Sequence, residues 1–134
     1  MSLSQIIRTS PQKPALMTHV VAGFPSIKES EEIVKMMDEV VDIIEIQIPF
    51  SDPVADGKTM ERCNEIALEQ GFRVDDAFVM AKRLSKKVST PLLFMTYYNI
   101  VYKRGVENFC REAKECGIVG LIVPDFPAEE ENRD

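Results

Sequence analysis

Short apolar runs alternate with amphipathic stretches of helical period along the chain. The first run, Ala15 to Val21, closes on Ala22-Gly23-Phe24-Pro25, a turn signal. Ser26 then reads as a helix N-cap, with Glu29 completing a capping box. Ile33, Val34, Met36 and Met37 form the predicted inward stripe of that helix, which runs to about Glu39. A β-branched strand follows from Asp42 to Ile48, then a loop through Gly57. A helix from about Thr59 to Gln70 turns Met60, Cys63, Ile66 and Ala67 inward and ends on Gly71. Val74 to Ser85 predicts a third helix, Pro91 to Tyr97 a third strand, Val106 to Cys116 a helix closed by Gly117, and Gly120 to Val123 a fourth strand.

Strand and helix alternating about every 25 residues imply parallel crossovers and an α/β class. Four such strands fit either the start of a flavodoxin-like open sheet or the first half of an eight-stranded barrel. The loops favour the barrel. Polar, Pro or Gly features follow every strand, at Gly23-Phe24-Pro25, Ser51-Asp52-Pro53, Tyr98-Asn99 and Asp125-Phe126-Pro127, as in a barrel whose site sits at the strand C-terminal ends. No GxGxxG follows the first strand, and there is no P-loop.

Chemistry concentrates where the second strand runs into its loop, Glu45-Ile46-Gln47-Ile48-Pro49-Phe50-Ser51-Asp52-Pro53-Val54-Ala55-Asp56-Gly57. A buried strand rarely keeps an acid without a task or a partner, so Glu45 stands out. The rest of the composition narrows the field. With 134 residues, a net charge of −6 and a pI near 4.9, the chain is expected to be one domain or part of one, with no nucleic-acid or membrane surface. The basic cluster Lys82-Arg83 with Lys86-Lys87 reads as the solvated end of a helix. No run reaches the roughly 18 apolar residues of a span and no secretory signal opens the chain, so a cytoplasmic location is expected. Cys63, Cys110 and Cys116 are an odd number without CxxC spacing, which supports packing thiols and neither disulfides nor zinc. His19 is the sole histidine, so no metal site of several imidazoles is expected and acid-base work falls to carboxylates and tyrosines.

The run Pro49-Phe50-Ser51-Asp52-Pro53-Val54-Ala55-Asp56-Gly57 resembles the signature of the tryptophan synthase α subunit family. Met95-Thr96-Tyr97-Tyr98-Asn99 with Tyr102 and Gly105 resembles the family's third-strand motif, and Gly120-Leu121-Ile122-Val123-Pro124-Asp125-Phe126-Pro127 its fourth strand and loop. The likeness runs from about Ala15 to Glu130. It implies a (β/α)8 TIM barrel, of which residues 1–134 hold about the first four β/α units as a single domain.

The resemblance further implies cleavage of indole-3-glycerol phosphate to indole and glyceraldehyde 3-phosphate. Glu45 matches the catalytic glutamate, expected at a strand end with Ile44, Ile46 and Ile48 as an apolar surround that raises its pKa toward neutrality. Asp56 matches the second catalytic acid, which would stabilise positive charge on the indole nitrogen. His19, Met95, Tyr97 and Pro124 are implied substrate contacts, although Tyr97 reads equally as strand packing. Pro49 and Asp52 are candidate contacts to a β subunit, although Asp52 before Pro53 is first of all turn chemistry. Asn99 reads as a loop cap or a support for neighbouring loops, and Asp125 as a residue that orients a turn. No metal or prosthetic cofactor is implied; pyridoxal phosphate would belong to the partner. Gln47 stands where many members have Gly, Lys58 where Pro is common, His19 where another aromatic ring is usual, and Phe24 where Asp is frequent. The family's phosphate-holding loops belong to the second half, so the 134 residues are expected to be inactive alone, as part of a longer chain or as halves that pair to close a barrel. The alternative is a docking module that binds a β-type partner without catalysis. An isomerase or aldolase barrel would need a Lys nucleophile or metal ligands at strand ends, and none is evident.

Overall fold

In the computed structural model, which describes residues 2–127, the apolar runs pair side by side as parallel strands. These are β1 (Met17–Val21), β2 (Ile43–Gln47), β3 (Leu92–Met95) and β4 (Ile118–Ile122), in the order β1-β2-β3-β4. Parallel neighbours cannot be joined by a tight hairpin, so helices fill every connection. α1 (Leu3–Thr9) precedes β1, and α2 (Ile27–Met37) joins β1 to β2. α3 (Lys58–Glu69) and α4 (Val74–Leu84) separate β2 from β3, and α5 (Tyr98–Arg104) and α6 (Val106–Glu115) separate β3 from β4. A strand order equal to the chain order is that of a barrel; a flavodoxin-like sheet would set the first strand between the second and third.

The pleat divides the strand residues between two faces. Ile44, Ile46, Leu92 and Phe94 point to the helical layer and form one core with Val34 of α2, Ala67 of α3, Phe78 and Leu84 of α4 and Phe109 of α6. On the other face Ile43 and Leu93 meet Ile6, with Leu3 and Ile122 packed against them, so α1 covers the N-terminal end of the inner surface. Gly120 belongs to this contact: a Cβ there would lie 2.6 Å from Leu3 Cδ1 and 3.0 Å from Leu93 Cδ2. Polar side chains enter the inner surface on β1 and β2, as His19, Glu45 and Gln47, while Met95 and Ile122 stand level with Gln47 on β3 and β4.

Several elements differ from the pattern-based expectation. α1 was not expected, although Ser2 and Gln5 form a reciprocal capping box with bonds of 2.8 and 3.3 Å. α5 was expected to be loop, and β4 begins at Ile118 rather than Gly120. In α2, Ile33 and Met36 are 38% and 78% exposed, because the inward stripe is Ser30, Val34 and Met37. A buried serine takes one stripe position: Ser30 Oγ accepts the Gly23 N–H at 3.1 Å and donates to the Ile27 carbonyl. Ser26 does cap α2, but Glu29 takes its returning bond from the Ser26 hydroxyl at 2.9 Å rather than from the backbone. Cys110 is exposed rather than packed, whereas Cys116 is buried and Cys63 half-buried. The likeness read to Glu130 runs past the described residues.

Side-chain bonds lock the helical layer to the sheet. Asp38, after α2, accepts from the backbone and hydroxyl of both Ser89 and Thr90 ahead of β3. Partial burial raises its pKa, but these donors outweigh it and hold the carboxyl below its usual range. Arg104, ending α5, lies 4.4 Å over the Phe78 ring and binds Asp75 at 2.7 Å and Glu112 at 2.6 Å. The Lys82, Arg83, Lys86 and Lys87 side chains are exposed around the end of α4, where Arg83 pairs with Glu31.

Phe78 of α4 meets Phe94 of β3 and Phe109 of α6 edge to face, with centroids 5.3 and 5.2 Å away, and Phe94 and Phe109 lie tilted at 6.4 Å. Phe109 is fully buried, so Phe109→Ala is expected to lower the unfolding free energy by about 3–5 kcal/mol, read from urea denaturation. A loss below about 1 kcal/mol would show that the layer closes over the gap.

Candidate active site

Parallel pairing of β1 and β2 sets His19 beside Glu45 and Val21 beside Gln47. Glu45 and Gln47 are two residues apart on one strand and therefore share the inner face. His19 Nδ1 lies 3.0 Å from Glu45 Oε1, with the two side chains 29% and 13% exposed. The other ring nitrogen, Nε2, lies 2.8 Å from Gln47 Oε1. Gln47 is wholly buried, and its Nε2 donates to Asp56 Oδ2 at 2.7 Å and more weakly to Asn64 Oδ1 at 3.5 Å. Glu45, His19, Gln47 and Asp56 thus form one continuous chain of polar contacts.

The loop that carries Asp56 is held from beneath. Asn64, fully buried on α3, accepts the Phe50 N–H at 3.0 Å and donates to the Met60 carbonyl at 2.7 Å. Tyr97 has no exposed surface; its ring stacks on Phe50 at 5.4 Å and its hydroxyl accepts the Ala55 N–H at 3.1 Å. Burial pushes the Tyr97 phenol up to about 12, the Ala55 N–H draws it back and the neighbouring Asp56 carboxylate adds to the rise. Tyr97 therefore stays a neutral strut at pH 7. Asp125, from the turn after β4, accepts the Tyr98 N–H at 2.8 Å and so caps α5. Among the described residues, no group of three or more His, Cys, Asp or Glu side chains is placed to hold a metal ion, and no helix is long and apolar enough to cross a membrane.

Residues 7–133 match the family model described as tryptophan synthase alpha chain. The chain belongs to the tryptophan synthase alpha chain family. It is 47% identical over 132 residues to the tryptophan synthase alpha chain of Desulfotalea psychrophila, covering 96% of this chain and 52% of that one. The Syntrophotalea carbinolica alpha chain is 48% identical over 116 residues, which are 86% of this chain and 46% of its own. Among solved structures, the tryptophan synthase complex from Pyrococcus furiosus superposes with a TM-score of 0.85 at 39% identity, over 89% of this chain and 49% of that chain. The ligand-free tryptophan synthase of M. tuberculosis gives 0.82 at 35% identity, over 89% and 48%. The chain thus spans about half the length of the relatives it matches, and its four parallel strands are the corresponding part of their TIM-type barrel.

Within that family frame, the structure brings His19, Glu45 and Asp56 together through Gln47. Met95 and Tyr97 lie buried on β3 and just past it, and Pro124 is exposed on the turn after β4. Pro49 is buried along a groove of about 620 Å³ that it shares with Phe50, Asn99 and Lys103, while Asp52 is exposed beside it. Asn99 lies in the first turn of α5, whose N-terminus Asp125 caps.

Two expectations change. Glu45 sits in the middle of β2 rather than at its end. Ile44, Ile46 and Ile48 belong to the helix-side core, since the pleat sends them away from the carboxylate, and its neighbour is an imidazole instead of an apolar surround. Gln47 and Asn64 had been given no role. The period of two that places Gln47 on Glu45's face was available in the sequence, whereas the inward turn of Asn64 on α3 was not.

Burial opposes a charged imidazole at His19, but the Glu45 carboxylate, the Gln47 amide and the field of Asp56 outweigh it, so His19 titrates above its ordinary 6.5. A value raised by folding stabilises the protein fully below the unfolded value, and the gain is lost as pH rises through the folded one. Denaturant unfolding from about pH 5.5 to about pH 8.5 is expected to show the wild type losing stability that His19→Phe does not lose. Equal slopes would mean that the imidazole holds no linked proton.

Proposed function

We propose that the whole protein cleaves indole-3-glycerol phosphate to indole and glyceraldehyde 3-phosphate, with Glu45 and Asp56 as the reacting acids. Family membership supports this reading, and the observation that carries it is the chain of contacts from Glu45 through His19 and Gln47 to Asp56. In the retro-aldol step a proton is added to indole carbon 3, the bond from that carbon to the glycerol chain breaks, and the adjacent hydroxyl gives up its proton as the aldehyde forms. One proton enters and one leaves, so a single carboxyl group on the inner face can do both, and Glu45 suits that task. Positive charge develops on the ring nitrogen, where a carboxylate is stabilising. Asp56 suits that second task, since the Gln47 amide and the Tyr97 strut under Ala55 hold its loop before substrate arrives.

The reading extends to a β subunit as partner and to the cytoplasm as location. It takes support from the relative whose structure is titled a tryptophan synthase complex. Exposed Asp52 and the groove beside Pro49 give the loop after β2 a surface for such a partner. Of the proposed substrate contacts, His19 and Pro124 are exposed, and the buried Met95 and Tyr97 would shape the pocket from behind. The resemblance assigns the phosphate-holding loops to the second half of the barrel, so these 134 residues are proposed to be inactive alone.

Indole release should therefore be absent from the chain by itself and appear when the second half of a relative's alpha chain is supplied. Glu45→Gln should then lower it by about 10²- to 10⁴-fold. Release that persists in Glu45→Gln would overturn the assignment of Glu45. A β partner stimulated by the chain, with no indole released by the assembled halves, would favour the docking module.

A further inference from the structure

Protons along the contact chain can be counted from geometry. An ionised Asp56 only accepts hydrogen bonds, so the atom of Gln47 that faces it at 2.7 Å must be the amide nitrogen. The Gln47 carbonyl oxygen is then left facing His19 Nε2 at 2.8 Å, and being an acceptor it requires a hydrogen on that nitrogen. The second ring nitrogen, Nδ1, meets Glu45 Oε1 at 3.0 Å, a contact that holds only with one proton between them. We propose that His19 and Gln47 are positioning residues that join the two acids into one unit: Asp56, through Gln47, fixes a proton on His19 Nε2, and a further proton is shared between His19 Nδ1 and Glu45.

The shared proton has two resting places. Either a carboxylate accepts from an imidazolium, or a carboxylic acid donates to a neutral ring that carries its hydrogen on Nε2. The two forms have the same net charge and differ by a transfer across one hydrogen bond. Loss of the proton would set a carboxylate oxygen against a bare nitrogen lone pair, so the unit resists deprotonation. The charged groups facing the ring are both acids, Glu45 from β2 and Asp56 from the loop before α3, and both favour keeping the proton. Glu45 thereby acquires a proton source without an apolar pocket. In the proposed cleavage, a proton given to carbon 3 leaves the unit one short, and the proton taken from the hydroxyl restores it. The inference rests on the reading of Glu45 and Asp56 as the reacting acids.

His19 is the only histidine among the 134 residues, so a long-range ¹H–¹⁵N correlation spectrum of the labelled chain reports one imidazole. The neutral ring is expected as the Nε2–H tautomer, titrating above 6.5. Glu45→Gln is expected to lower that midpoint by about one unit or more. Gln47→Met is expected to move the neutral ring to the Nδ1–H tautomer, because the Glu45 carboxylate then takes the single ring hydrogen. A wild-type Nδ1–H ring, or a tautomer unchanged in a folded Gln47→Met chain, would overturn the proposal. If Gln47→Met loses its dispersed amide spectrum, the Glu45→Gln midpoint decides, and no fall overturns the proposal. The spectra need no substrate, so a failed relay is distinguishable from a failed lyase reading, which indole release decides.

Discussion

Everything at the site depends on the register of β1 against β2. Parallel pairing sets His19 level with Glu45 and Val21 level with Gln47, and the pleat turns the three polar side chains to one face. A slip of one residue would carry Glu45 into the layer of Ile44 and Ile46, where a carboxylate has no partner. The isoleucines that alternate with Glu45 and Gln47 make that slip costly, since each would lose its place against the helices. The greasy positions of β2 thus act on the chemistry through register and not through contact with the acid.

The inner surface is partitioned along the strands. At its N-terminal end α1 lays Leu3 and Ile6 on Ile43, Leu93 and Gly120, which removes apolar surface from water where no chemistry is needed. Past the end of β2 the contacts that hold the loop are hydrogen bonds, from Gln47 to Asp56 and from the Ala55 amide to Tyr97. The polar groups thus gather over β1 and β2, with Met95 and Ile122 level with Gln47 on the other two strands, and helix α3 supports them from the side through Asn64.

How much of this was legible in the sequence follows from the range of the forces involved. The four strands and the longer helices are written in local periodicity, and the barrel-type order follows from loops that place Pro, Gly and polar residues after each strand. α5 was not legible, because seven residues make a marginal helix and its cap comes from Asp125, far along the chain. The stripe of α2 was misphased because Ser30 is buried with its hydroxyl bonded to backbone on both sides, which no hydropathy pattern registers. At the site, Glu45 and Asp56 could be picked out as acids in a loop-strand signature, but Glu45's neighbour depends on register with another strand. Acid-base work had accordingly been assigned to carboxylates and tyrosines, yet the sole imidazole lies against Glu45. His19 and Gln47 stood out separately as departures from the family pattern, and the fold shows them to be one feature, since each is the other's hydrogen-bond partner.

A buried amide such as Gln47 is destabilising unless its donors and acceptor are met, and here each has a named partner: His19 for the oxygen, Asp56 and Asn64 for the nitrogen. That satisfaction ties stability to the position of the loop. If the loop swung away, Asp56 would leave a buried N–H facing only the distant Asn64 oxygen at 3.5 Å, so the loop's resting place is held by the cost of abandoning Gln47. Tyr97, just past β3, adds a second restraint through the Ala55 amide. A segment punctuated by Pro53 and Gly57, whose composition fits a mobile lid as well as a fixed turn, is in this way bonded at the adjacent residues Ala55 and Asp56, to Tyr97 just past β3 and to Gln47 on β2, which sets the Asp56 carboxylate on the inner face.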